Sequence, residues 1–146
     1  MENTAISLIL ISKEKEHFKV EIEIALISNF LKTIYDEFRE KSFKTLKIPL
    51  YNIEGRVLTK IIEYCRFEHK FSIIKKVYEE KLADYNKYLY SNMVWVNEFL
   101  KVNKHMIIQI INAASYLEIE SLLLYSTQII ASNLVKKYQK IKKYSN

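Results

Sequence analysis

Residues 94–134 read VWVNEFLKVNKHMIIQIINAASYLEIESLLLYSTQIIASNL, and this stretch decides the fold. Apolar residues recur at helical spacing: Met106, Ile107, Ile110, Ile111 and Ala114, then Ile119, Leu122, Leu123, Ile129, Ile130 and Leu134. Recurrence at i, i+3, i+4 and i+7 marks helices that bury one face. The pattern predicts a short aromatic turn over 93–102 around Trp95 and Phe99, then a helix over 104–116 capped by Asn103. A two-residue corner at Leu117-Glu118 follows, and a last helix from about Ile119 to Lys140. That helix is expected to fray after Leu134, where apolar content falls to Val135, Tyr138 and Ile141. No acid–base pair, metal cluster or phosphate loop interrupts the stretch. Its residues suit packing and being bound, not chemistry.

Upstream, residues 5–12 form an Ile- and Leu-rich strand, Lys13 to Glu16 a polar turn, and Phe18 to Glu21 a half-buried strand by alternation. The turn lacks Asn-Gly or Asp-Gly, which predicts a looser hairpin loop. Residues 22–27 read as a short helical or irregular turn. Ser28 can cap a helix over 29–40 with Phe30, Ile34 and Phe38 facing inward. LKIPL at 46–50 is a strand, and Pro49 assigns it to an edge or a strand end. A helix over 52–69 carries the core stripe Val57, Leu58, Ile61, Ile62 and Cys65, with Gly55 near its start leaving room for close approach. A separate helix is predicted over 72–88, with Ser72 as its cap. Strand, strand, helix, strand, then helices gives an α+β domain: a small three-stranded sheet with helices on one side and a C-terminal helical extension. The chain divides into 1–70, a helical insert at 71–92, C-terminal helices at 93–135 and a basic tail at 136–146.

The 146 residues, 49% hydrophobic and 27% charged, fit a single soluble domain large enough to bury roughly two-thirds of its unfolded surface. Cys65 is the lone cysteine, which excludes an internal disulfide and points to the cytosol or nucleus. The N-terminal apolar run spans only Ile6 to Ile11 behind an acidic start, unlike a signal peptide, and nothing reaches transmembrane length. The net charge is +6, and the five lysines after Val135 leave only +1 on residues 1–135. A near-neutral body does not read as a nucleic-acid binder.

The chain resembles the adaptor subunit of SCF ubiquitin ligases, the S-phase-kinase-associated protein family, whose cousin is elongin C and whose fold is BTB/POZ. The resemblance covers about Ile6 to Leu134. It rests on VEIEIALISNFLKTI (20–34), IPLYNI with VLTKIIEYC (48–65), VWVNEFLKV (94–102) and INAASYLEIESLL (111–123). The 94–102 segment favours the SCF adaptor over elongin C. The resemblance implies a non-catalytic adaptor with cullin and F-box protein partners. Asn112, Ser115 and Tyr116 match the cullin-facing stretch, with Ser115 where the family usually has Asn. Leu123, Thr127, Ile130, Ala131 and Leu134 match the start of the F-box surface. In the family a Gly-Lys-Thr-Pro-Glu-Glu segment and clamping helices follow; here the sequence reads VKKYQKIKKYSN, as in a C-terminally shortened member. A Pro-rich acidic insert in the family is replaced by residues 71–90.

Competing readings stand beside these. Tyr116 is a cullin contact or a packed helix end. The Leu123–Ile130–Leu134 stripe is core or an exposed groove. Trp95 and Phe99 read as core, Cys65 as an inert thiol, and the basic tail as a solvated helix end rather than an anion contact. His17, His69 and His105 are too far apart in sequence to suggest a metal site, and Glu79/Glu80 and Glu118/Glu120 read as solvated charges. No enzyme, cofactor, metal or membrane is expected. The alternative function is a shortened BTB module that assembles without F-box binding, as a homodimer or within a kinetochore-type complex.

Overall fold

The computed structural model describes residues 6–41, 44–78 and 82–145. Strands β1 (Ser7–Ile11), β2 (His17–Val20) and β3 (Thr45–Pro49) form one sheet in the order β2-β1-β3. β1 pairs antiparallel with β2, Leu8 opposite Val20 and Leu10 opposite Phe18, and parallel with β3, Leu8 opposite Leu46 and Leu10 opposite Ile48. Side chains alternate across a strand, so Leu8, Leu10, Val20, Leu46 and Ile48 are all buried on one face. A parallel neighbour needs a crossover, and helices α1 (Ile22–Ala25) and α2 (Asn29–Phe38) supply it. Pro49 ends an edge strand, as its missing N–H predicts.

The hairpin loop is the looser kind expected. Lys15 has φ 69°. Ser12 Oγ donates to Glu14 Oε2 at 3.0 Å and accepts the Glu16 N–H at 3.1 Å. Glu14 Oε2 also accepts the N–H of Gly55 at 2.8 Å, where helix α3 (Gly55–Tyr78) begins. That backbone hydrogen bond is the main reason the Glu14 carboxyl sits below its ordinary range. The close approach anticipated at Gly55 is therefore made by the hairpin: a Cβ there would lie 2.5 Å from Glu16 Oε1.

Two boundaries differ from expectation. α3 does not stop at His69; it runs on to Tyr78, and Ser72 is no cap but an interior residue whose Oγ donates to the His69 carbonyl at 2.7 Å. No Gly or Pro after Gly55 is present to end it earlier. Trp95 and Phe99 are not on a short turn but on helix α4 (Leu82–Phe99). The aromatic pairs show α4 returning antiparallel along α3: Trp95 stacks on Phe67 with centroids 3.8 Å apart at 5°, and Phe99 meets Tyr64 at 5.9 Å. Phe99 is buried in the core and Trp95, half-buried, packs against it. The Glu79/Glu80 pair and Ala5 lie outside the described residues.

Helices α5 (Lys104–Tyr116) and α6 (Glu120–Tyr144) complete the domain. Asn103 caps α5 as predicted, its Oδ1 accepting the Met106 N–H at 2.8 Å. α6 continues to Tyr144 without fraying at Leu134. The core joins the sheet face to Leu58 and Tyr64 of α3, Ile110 and Ala114 of α5 and Leu122 of α6. Cys65 is buried among them, and burial pushes its thiol up to about 12, which makes it unreactive near neutrality. The buried ring of Tyr64 reaches the core margin, where its hydroxyl donates to Ser121 Oγ at 2.8 Å, and Ser121 donates to Glu68 Oε2 at 2.7 Å. Tyr64→Phe removes one hydrogen bond while keeping the ring, and a loss of about 1 kcal/mol in urea unfolding is expected.

Candidate functional site

The end of α5 is fixed by its junction with the start of α2. A helix leaves N–H groups unpaired at its start and carbonyls unpaired at its end. Here each end serves the other: Asn29 N–H donates to the Glu118 carbonyl and Phe30 N–H to the Leu117 carbonyl, both at 3.3 Å. Ser28, buried, has its Oγ at 2.5 Å from the Leu117 carbonyl as donor, and the same Oγ accepts the Leu31 N–H at 3.1 Å as the cap of α2. The predicted corner at Leu117-Glu118 is a Schellman turn, with Ile119 N–H on the Ala114 carbonyl and Glu118 N–H on the Ser115 carbonyl. Glu118 takes the left-handed conformation, φ 55°, that glycine adopts without strain. Glu118→Gly is expected to raise stability by about 0.5–1 kcal/mol, read as a higher urea midpoint at unchanged slope.

The junction presents the first candidate surface. Asn112, Ser115 and Tyr116 are spaced i, i+3, i+4 and all are exposed, while Ala113 and Ala114 between them are buried. Tyr116 is 43% exposed and leans on Phe30 of α2, ring centroids 5.0 Å apart. Ile108, 51% exposed and one helical turn before Asn112, extends the ridge. Sequence reasoning passed over Ile108, although its i−4 relation to Asn112 was readable. Phe30, expected to face inward, packs against the core and is half-buried, and its ring also meets Tyr116. Beside the ridge Arg56 donates to Gln109 Oε1 at 2.6 Å and to Glu54 Oε2 at 2.8 Å, and Gln109 donates to Glu54 Oε1 at 3.2 Å, tying α5 to the start of α3.

The second surface lies on α6. Leu122 and Ser126 face the core. Leu123 and Ile130 are half-buried, and Thr127, Ala131 and Leu134 are exposed, so the five predicted residues form one stripe from the core margin to solvent. Thr127 Oγ1 donates to the Leu123 and Leu124 carbonyls at 2.8 and 2.9 Å. Leu124, 56% exposed, widens it. Lys142 and Lys143 occupy the last turn, where cations suit the helix dipole. Among the described residues no three His, Cys, Asp or Glu gather as a metal site, and no helix is long and apolar enough to cross a membrane.

A small mixed sheet, a crossover through α1 and α2, and appended helices presenting two faces define an α+β domain of the POZ class. Residues 6–70 match the family described as Skp1 family, tetramerisation domain. The chain is 30% identical over 141 residues to SKP1-like protein 3 of Arabidopsis thaliana, covering 92% of this chain and 78% of that protein. It is 29% identical over 124 residues to the SCF ubiquitin ligase complex protein SKP1b of Dictyostelium discoideum, covering 83% and 70%. The chain belongs to the Skp1 family.

Proposed function

We infer that this chain is a non-catalytic adaptor of an SCF-type ubiquitin ligase in the cytosol and nucleus. The ridge of Asn112, Ser115 and Tyr116 holds a cullin. The α6 stripe of Leu123, Thr127, Ile130, Ala131 and Leu134 holds the F-box of a substrate receptor. The observation that carries this reading is the exposure of Asn112, Ser115 and Tyr116 on α5 and of Thr127, Ala131 and Leu134 on α6, adjacent helices joined by the short corner at Leu117–Ile119. A fixed corner is what an adaptor requires, because its contribution to ubiquitin transfer is to hold receptor and scaffold in one geometry. The relatives named as SKP1-like and SCF complex proteins support the same reading. Tagged full-length chain, recovered from its native cells and analysed by mass spectrometry, is expected to bring down a cullin together with F-box proteins. Recovery of neither would overturn the assignment.

A further inference from the structure

Every residue of α6 from Ala131 to Tyr144 is exposed, so the helix ends in an arm of about 20 Å at 1.5 Å per residue. Tyr125, Ile129, Ser132, Lys136, Lys140 and Lys143 stand at i, i+4, i+7, i+11, i+15 and i+18, the spacings of one helix face. This face lies about half a turn from the stripe of Leu123, Ile130 and Leu134. Its chemistry changes along its length. Near the body it lines a groove against α4, with a volume of about 220 Å³. Val96 of α4, buried, and Ile129 of α6, half-buried, form the floor. Met93 and Tyr125, 59% and 37% exposed, form the walls. Asn97, Gln128 and Ser132 complete the lining, and among the described residues none of these three side chains has a hydrogen-bond partner. Beyond the groove the same face becomes the row of Lys136, Lys140 and Lys143. Among the described residues no acid pairs with them. Glu120, the only acid in α6, lies at the helix start on the stripe side.

We propose that the groove and the lysine row together hold an acidic segment of another protein, anchored by a large apolar side chain. The anchor enters between Met93 and Tyr125, where burial takes apolar surface out of water. The amides of Asn97 and Gln128 at the rim offer hydrogen bonds to the segment's backbone. Carboxylates on the residues that follow meet Lys136, Lys140 and Lys143, so the charges of the two sides complement each other. From Ile129 to Lys143 the helix rises about 21 Å, the reach of about six extended residues. An anionic bilayer does not fit this face. Leu134 and Tyr138 lie on the other side of the arm, so headgroups on the lysine row would leave them in water. Nucleic acid fits less well, because Tyr125 is the one aromatic ring in the lining and gives no second platform for base stacking. The segment leaves the stripe proposed for the F-box uncovered. The inference does not rest on the adaptor reading, and its test uses neither cullin nor receptor, so the two fail separately.

The probe is a capped peptide of four glutamates, Phe-Leu and four more glutamates, which carries acids on both sides of the anchor and so suits either chain direction. Calorimetric titration of the purified full chain is expected to give saturable binding with a Kd below about 100 μM at low salt, weakened about tenfold at about 0.5 M salt. Replacing Phe-Leu by Ser-Ser should weaken binding about tenfold. Met93→Glu, at an exposed position, should weaken it about tenfold or more, and so should the paired exchange Lys136→Glu with Lys140→Glu, each with circular dichroism unchanged. Leu134→Gln, on the other side of the arm, should leave it within about twofold. Absence of binding up to millimolar peptide overturns the proposal. Binding that survives loss of the Phe-Leu anchor overturns it, since lysines alone would then hold the peptide. Loss through Leu134→Gln equal to that through Met93→Glu would place the peptide on the stripe and overturns it too.

Discussion

Ser28→Ala should lower the unfolding free energy by about 2–3 kcal/mol, seen as a fall in the urea midpoint with the slope unchanged. The Ser28 hydroxyl is spent twice inside the core margin. It accepts the Leu31 N–H that opens α2, and it donates to the Leu117 carbonyl that closes α5. Losing a serine cap costs about 1 kcal/mol. Losing a buried donor costs about 1–2 kcal/mol more, because among the described residues the Leu117 carbonyl then keeps only the long 3.3 Å bond from Phe30. Water has no ready route to replace it, since Ser28 is 1% exposed. The damage should be local as well as global. Hydrogen exchange at the Leu31 amide is expected to accelerate more than exchange at the core amides of α3. An unchanged midpoint would mean that the helix junction is held by packing alone.

That junction also shows what local chemistry makes readable in a sequence. Ser28 and Asn103 were legible as caps because a cap is decided by one side chain and the three residues after it. The corner at Leu117-Glu118 was legible because the apolar row breaks phase there. The first strand followed from its Ile and Leu content, the second from alternation, and the edge assignment of the third from Pro49. Less legible was everything that depends on where one helix meets another. Residues 70–72 contain no breaker, yet the charged run after them reads as a new helix, because a helix that outruns the core loses its apolar row. Trp95 and Phe99 read as an aromatic turn when taken with their neighbours only. Their spacing of four, matched by Phe67 and Phe71 on α3, is the mark of two helices in contact. Tyr64, seven residues after Val57, belonged to the same stripe and was hidden by its hydroxyl, which packing satisfies through Ser121. On α6 the stripe was legible, whereas the length of the arm was not: the fall in apolar content after Leu134 suggested fraying, but a helix exposed on every side needs little apolar content to continue.

Tyr116→Lys is expected to reduce cullin capture by about thirty-fold or more while leaving F-box capture within about twofold, measured by titration of each purified partner. The ring is placed to act as an anchor. It stands at the last turn of α5, braced by Phe30, and so gives up little freedom on binding. Truncating a central aromatic costs about 2 kcal/mol or more, and lysine adds the cost of a charge in an apolar contact. The substitution leaves the fold in place, since Tyr116 is 43% exposed and the buried residues next to it, Ala113, Ala114 and Leu117, are untouched. A stability loss below about 1 kcal/mol is expected, the size of one aromatic pair. Tyr116→Phe keeps the ring and its contact with Phe30, and should retain most of the affinity unless the hydroxyl itself is bonded to the cullin. The stripe proposed for the F-box lies on α6 beyond the corner, and that separation makes the test selective. Equal loss of both partners would mean that Tyr116 holds the α2–α5 junction together. Loss of neither would move the cullin contact away from this ridge.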